Sequence, residues 1–313
     1  MSDNLIYIPK LCPLRFVRLD TPVASGKNFI HFDEDWIEKQ IKPYDTHVNY
    51  LQKWQQADTI KLQIKATYGP VKVDIIDCSQ KVIKSVQLEP VVTAVVGQLW
   101  KCYEGNIQLA DIAEGAYYAV LSVGSGEFVQ KFISEPIELK LKHENTMLFE
   151  YSHSYNNYGV LFETGYKPSF RCEAAITDFL PGADETVYTD QIYDTTLLSS
   201  TPFRNFKLTL GEPYGVSDWV VDLINRIYSC DTVLADRKQY ARPDGTKMEK
   251  AERQGYPLLI WQMDLRESQN DYEQNYDADF DAHMMVTYNI QVDAFGAFND
   301  QAQNNTVQII KVG

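Results

Sequence analysis

Ile60-Lys61-Leu62-Gln63-Ile64-Lys65-Ala66 alternates apolar and polar side chains over seven residues. Successive side chains of a strand point to opposite faces, so this segment presents one apolar face and one wet face. That is the mark of an antiparallel sheet with one side on a core. Val71-Lys72-Val73-Asp74-Ile75 repeats the pattern, and Ile137-Glu138-Leu139-Lys140-Leu141 repeats it again. Further strands are expected at 82–88, 117–123 and 127–133. Gly69-Pro70 and Gly124-Ser125-Gly126 are turn signals between them, the second reading as a tight hairpin. Residues 51–145 therefore read as one β-sandwich domain.

Upstream, residues 1–50 are less regular and read as an N-terminal arm. A strand is expected at 14–19, and the acidic, aromatic stretch 31–42 with Trp36 suits an extended arm or a short helix. So long an excursion is unusual inside a compact domain, and packing on a neighbouring subunit would account for it. Truncating residues 1–45 is then expected to leave a folded, assembly-defective protein.

Downstream, residues 146–313 read as a second β-rich domain. Strands are expected at 147–151, 158–163, 169–176, 185–192 and 205–210, separated by turns at Asn156-Asn157, Lys167-Pro168 and Pro181-Gly182. The period then changes. Between Ser217 and Tyr228, the residues Trp219, Val220, Leu223, Ile224 and Ile227 fall on one stripe at helical spacing. Ser217 suits the N-cap, and Asp218 suits the positive first turn. This is one amphipathic helix over 217–228. Strands resume at 232–235 and 258–266, with Arg242-Pro243-Asp244-Gly245-Thr246 as a turn. Residues 268–281 read as a polar, acidic loop. A C-terminal strand pair at 283–293 and 306–312 ends the chain. The fold class expected is mainly β, with two β-sandwich-like domains, the second carrying the helix.

The 313 residues hold 29 Lys plus Arg against 43 Asp plus Glu, a formal net charge of −14. That balance argues against nucleic acid or an anionic membrane as the main partner, since both select clustered Lys and Arg. The first residues, MSDNLIYIPKLCPLRF, lack the basic stretch and apolar run of a secretory signal, and no apolar run approaches the ~18 residues of a membrane span. Synthesis in the cytosol is the expectation. Cys12, Cys78, Cys102, Cys172 and Cys230 are widely spaced, odd in number and without a C-x-x-C. They read as free, mostly buried thiols.

Local motifs for chemistry fail on inspection. His31, His47, His143, His153 and His283 form no metal-binding spacing. Ser25-Gly26-Lys27-Asn28 resembles the end of a phosphate loop, but Thr21 stands where Gly is required and Asn28 where Ser or Thr is. There is no G-x-S-x-G and no G-x-G-x-x-G after a strand. Asp277, Asp279 and Asp281 alternate as Ca²⁺ ligands would on one strand face, but Ala282 and Tyr288 occupy the Gly and Glu positions of an EF-hand loop. They read more simply as a solvated acidic loop. Tyr117, Tyr118, Tyr151, Tyr155 and Tyr158 are available to stack sugars, against the simpler reading of core and hairpin packing. With 43 acidic residues, a carboxylate pair at glycosidase spacing is no evidence of an enzyme. No catalytic, cofactor-binding or metal-binding residue is assigned, and no cofactor is expected.

Four segments resemble proteins encoded among the tail and other virion genes of phages and prophages of Bacteroidetes: 50–64 (YLQKWQQADTIKLQI), 117–139 (YYAVLSVGSGEFVQKFISEPIEL), 158–191, and 197–230 (LLSSTPFRNFKLTLGEPYGVSDWVVDLINRIYSC). Together they cover a little under half of the chain, and none is a catalytic signature. The resemblance implies a structural, non-enzymatic part of a virion: tail, tail tip, baseplate or connector ring. Its partners would be other virion proteins and copies of itself, joined head to tail if the assembly is a ring. A carbohydrate-binding adhesion module, with a glycan as partner, and a cell-envelope-degrading hydrolase are the alternatives.

Overall fold

A computed structural model describes residues 6–19, 50–91, 100–126, 129–213, 215–251, 259–268, 284–287 and 308–311. The chain is mainly β. The first sheet holds β1 (Ile6–Tyr7), β2 (Phe16–Leu19), β3 (Gln52–Gln55), β4 (Thr59–Ala66), β5 (Val71–Asp77), β6 (Val82–Val91), β7 (Lys101–Gln108), β8 (Gly115–Val123), β9 (Gln130–Ser134) and β10 (Ile137–Lys140). Its order is β1-β4-β7-β6-β5-β8-β10-β3, with β9 joining β8 to β2. β6 turns the corner: it pairs with β5 over Val82–Leu88, then with β7 over Glu89–Val91.

The alternation over 60–66 sets one face of β4 into a core. Ile60, Leu62, Ile64 and Ala66 are fully buried, and they meet Trp54, Val71, Val73, Leu121, Val123 and Leu139 in one core. Removing a Leu or Ile side chain from water contributes roughly 1.5–3 kcal/mol. β7 pairs with β4 along its whole length, and Gly105 stands opposite Leu62. A side chain there would come 2.9 Å from Leu88 Cγ, so glycine is the residue that lets β6 and β7 approach.

The second sheet contains β11 (Thr146–Ser152), β12 (Ser169–Thr189), β13 (Thr195–Leu210), β14 (Thr232–Ala235), β15 (Lys238–Ala241), β16 (Glu249–Lys250) and β17 (Trp261–Glu267). Its order is β13-β12-β11-β14-β15-β17-β16, and a β13–β17 pairing closes the first six into a ring. Helix α1 (Asp218–Ile227) buries Val220, Val221, Leu223, Ile224 and Ile227 against Phe149, Phe170, Leu208, Leu210 and Leu265. Ser217 occupies the N-cap with extended backbone, but its side chain makes no capping bond and is buried. Gly211 enables the entry to α1. Its φ is +85°, and a Cβ would meet the Val216 nitrogen at 2.6 Å. β18 (Met284–Thr287) and β19 (Gln308–Lys311) form a separate antiparallel pair within the expected C-terminal strands.

Several expectations change. Residues 6–19 supply two strands to the first sheet, through Ile6↔Ala66 and Phe16↔Ser134, and bury Leu11 and Leu14. Removing residues 1–45 would therefore strip the body of the fold. Residues 158–163 are no strand: a single bridge joins Asn157 to Val160, and a 3-10 turn follows at Phe162–Thr164, closed by Gly165 at φ +83°. Pro181-Gly182 is no turn: β12 runs through both, because an exposed strand position tolerates a missing N–H. The reversal lies at 190–194, where Asp190 Oδ1 accepts the N–H groups of Ile192 and Asp194. β7 and β15 lack strict alternation, and pairing with their neighbours makes them strands. Gly124-Ser125-Gly126 opens a six-residue connection, since Val123 pairs with Gln130. The expected domain boundary near 145 falls in the turn from β10 to β11, where the chain passes between sheets. By packing, the larger compact unit takes in the described parts of residues 1–183 and 203–268, with the first sheet and the second sheet apart from the far ends of β12 and β13. The smaller holds 184–202 with β18 and β19.

Candidate functional site

The polar face of β4 is a seam between the two sheets. Gln63 is buried; its Oε1 accepts the Leu161 N–H at 2.8 Å and its Nε2 donates to Glu104 Oε1 at 2.8 Å. The Tyr166 hydroxyl donates to the Lys61 carbonyl at 2.8 Å, and the Ser169 hydroxyl to that of Thr59 at 3.1 Å. The Arg171 guanidinium holds the Asp58 carboxylate with both prongs, 2.6 and 2.9 Å, in a buried pair. Each backbone acceptor satisfied here is a structural contact, so the seam reads as cement.

A cavity of about 280 Å³ lies between the segment 8–16 and α1, lined by Cys12, Leu14, Arg15, Phe16, Trp219 and Arg226 among others. Arg15 Nη1 pairs with Glu135 Oε1 at 3.2 Å. Burial pushes the Glu135 carboxyl up to about 7, and the Arg15 charge offsets that only in part. Nearby, burial would raise Glu138, but hydrogen bonds from Lys140 and Lys53 outweigh it and hold the carboxyl at about 2.

Of the five histidines, His31, His47 and His283 lie outside the described residues. His143 is buried beside Glu138, and burial lowers its pKa. His153 Nδ1 bonds Asp231, and its ring meets Phe162 and Tyr155 edge to face. Burial would raise Asp231, yet hydrogen bonds from Ser154 and His153 take it down to about 2. The hydrogen bonds to Asp231 pin the β11 end to the chain after α1. Among the described residues no group of three or more His, Cys, Asp or Glu is placed to hold a metal ion. Ser25 to Asn28 and Asp277, Asp279 and Asp281 lie outside the described residues. Cys12, Cys102 and Cys172 are buried, Cys230 is half-buried and Cys78 is exposed; all five are free thiols. Burial pushes Cys12, Cys102 and Cys230 each up to about 12. Of the tyrosines considered for sugar stacking, Tyr117, Tyr118 and Tyr151 are buried and belong to packing; Tyr155 is exposed.

Among the described residues, exposed apolar side chains concentrate on the ribbon formed by the ends of β12 and β13. Val187, Tyr188, Leu197 and Leu198 are 52–62% exposed, and Ile192 and Tyr193 at the turn are 75% and 88% exposed. Soluble proteins rarely leave such apolar patches uncovered without an interaction to make. The sequence already held the signal: 195–203 (TTLLSSTPF) is an uncharged, β-prone run. Its placement on an exposed ribbon was not legible. The class that these elements define is mainly β, with two large sheets, one separate strand pair and one α-helix among the described residues. We found no match to the chain among protein-family models, curated proteins or solved structures.

Proposed function

We propose that this chain is a structural subunit of a phage virion, in the tail, tail tip, baseplate or a connector ring, working by assembly with copies of itself and other virion proteins. The observation that carries the assembly reading is the exposed apolar ribbon of residues 185–201. The virion reading rests on the resemblance of segments 50–64, 117–139, 158–191 and 197–230. A subunit of this kind needs rigid β-sheet bodies and apolar elements held back for neighbours, and permanent interfaces bury on the order of 2,000 Å² or more. Two measurements test it. Virions purified from an induced lysogen that encodes the chain should contain it in stoichiometric amount; its absence from them would remove the virion assignment. Electron microscopy of the purified protein should show closed particles, and monomers alone at tens of micromolar would remove the assembly reading.

A further inference from the structure

We propose that the ribbon joins each copy of this chain to the next by strand pairing, the β13 edge of one copy taking the β12 edge of its neighbour. This rests on the assembly reading above and names the element and the partner. Below the ribbon each strand is accounted for: β12 pairs with β11 over Ser169–Glu173, and β13 with β17 over Asn205–Leu210. Over 185–189 and 195–201, the two strands have only each other as strand neighbours among the described residues. A lone two-stranded ribbon is marginal in water, and its unpaired edges are templates for another strand.

Charge selects which edges meet. Natural edge strands are commonly guarded by charged side chains. Residues 195–203 carry none, whereas the facing strand carries Glu185. Two β12 edges together would set carboxylate against carboxylate, which is unfavourable. The β13 edge receives a β12 edge without that repulsion, and unlike a β13–β13 contact this pairing leaves neither kind of edge uncovered. The contact is then heterologous, and repetition around an axis closes it into a ring.

The two faces support the same partner. The Thr189 and Thr195 hydroxyls lie 3.4 Å apart, so these residues face each other across the ribbon. Alternation from that pair puts Val187 and Leu197 on one face and Tyr188 and Leu198 on the other. Both faces are therefore apolar, and a ribbon laid on a flat surface would cover only one. Ribbons side by side extend both faces at once. At the turn, the Asp190 N–H donates to the Asp194 carbonyl. Counting along β13 from that inward-facing residue, the N–H groups of Leu197 and Ser199 point to the open edge.

The test uses the full chain, with light scattering after size exclusion and native mass spectrometry. Wild type should give assemblies of three or more copies. Ser199→Pro removes an edge donor, and Leu197→Lys places a charge on the ribbon; each should give monomer at the wild-type unfolding temperature. Ser199→Ala should assemble as wild type does. Wild-type assembly undiminished in both Ser199→Pro and Leu197→Lys would overturn the edge pairing and leave the assembly reading standing. A wild-type mass that stops at two copies would overturn the heterologous contact. A wild-type monomer would overturn both the pairing and the assembly reading.

Discussion

Asp58 and Arg171 are 113 residues apart in the chain and meet in a buried, two-pronged ion pair. Removing one partner leaves the other charged and desolvated. Asp58→Ala or Arg171→Met should each cost about 3–5 kcal/mol in denaturant unfolding, with the double replacement costing less than the two singles summed. Glu135 makes a prediction in pH. Its folded pKa of about 7 lies above the 4.5 of an unperturbed carboxyl, so the native state binds the extra proton in that window. The stabilisation is complete below pH 4.5 and is lost as pH rises through 7, by about 3 kcal/mol at most. Glu135→Gln should flatten that decline in thermal melts taken between pH 4.5 and 8. Glu138 runs the other way: held at about 2, it contributes stability above pH 4.5 that fades as pH falls toward 2. Neither the Asp58–Arg171 pair nor the Arg15–Glu135 pair was legible in the sequence, because no local pattern announces which carboxylate a distant arginine will find.

At the scale of elements, local pattern carried most of the information. The seven alternating residues around Leu62 became β4 with every apolar position fully buried, and the stripe from Val220 to Ile227 became α1. Leu62→Ala should cost about 2–5 kcal/mol by loss of transfer energy plus the cavity left behind. Gly105→Ala, which drives a methyl toward Leu88, should cost roughly 1–3 kcal/mol. Equilibrium unfolding in urea measures both. Where local pattern misled, backbone pairing had the last word. Residues 158–163 look strand-like but lie against the Gln63 side chain, which takes the Leu161 N–H that a neighbouring strand would otherwise take. Pro181-Gly182 looks like a turn but lies within β12, where Pro181 is exposed and its missing N–H is tolerated.

At the scale of the molecule, two β-sheets share a polar seam, and a ribbon is left with apolar residues on both faces. Assembly is a property of this scale, because no single residue specifies it. It depends on two edges, one uncharged and one acidic, that have no strand neighbour beyond each other among the described residues.

The sequence by itself determined the mainly β class, helix α1 and the apolar faces of the strands, because side-chain periodicity is a local property and burial follows it. Only the tertiary structure decided that the polar face of β4 would be covered rather than wet. Only there did residues 6–19 join the first sheet, and only there did β13 close the second sheet onto β17 while the uncharged run 195–201 stayed exposed. Those outcomes depend on which distant backbone groups find one another, and alternation along one strand says nothing about the identity of its neighbours.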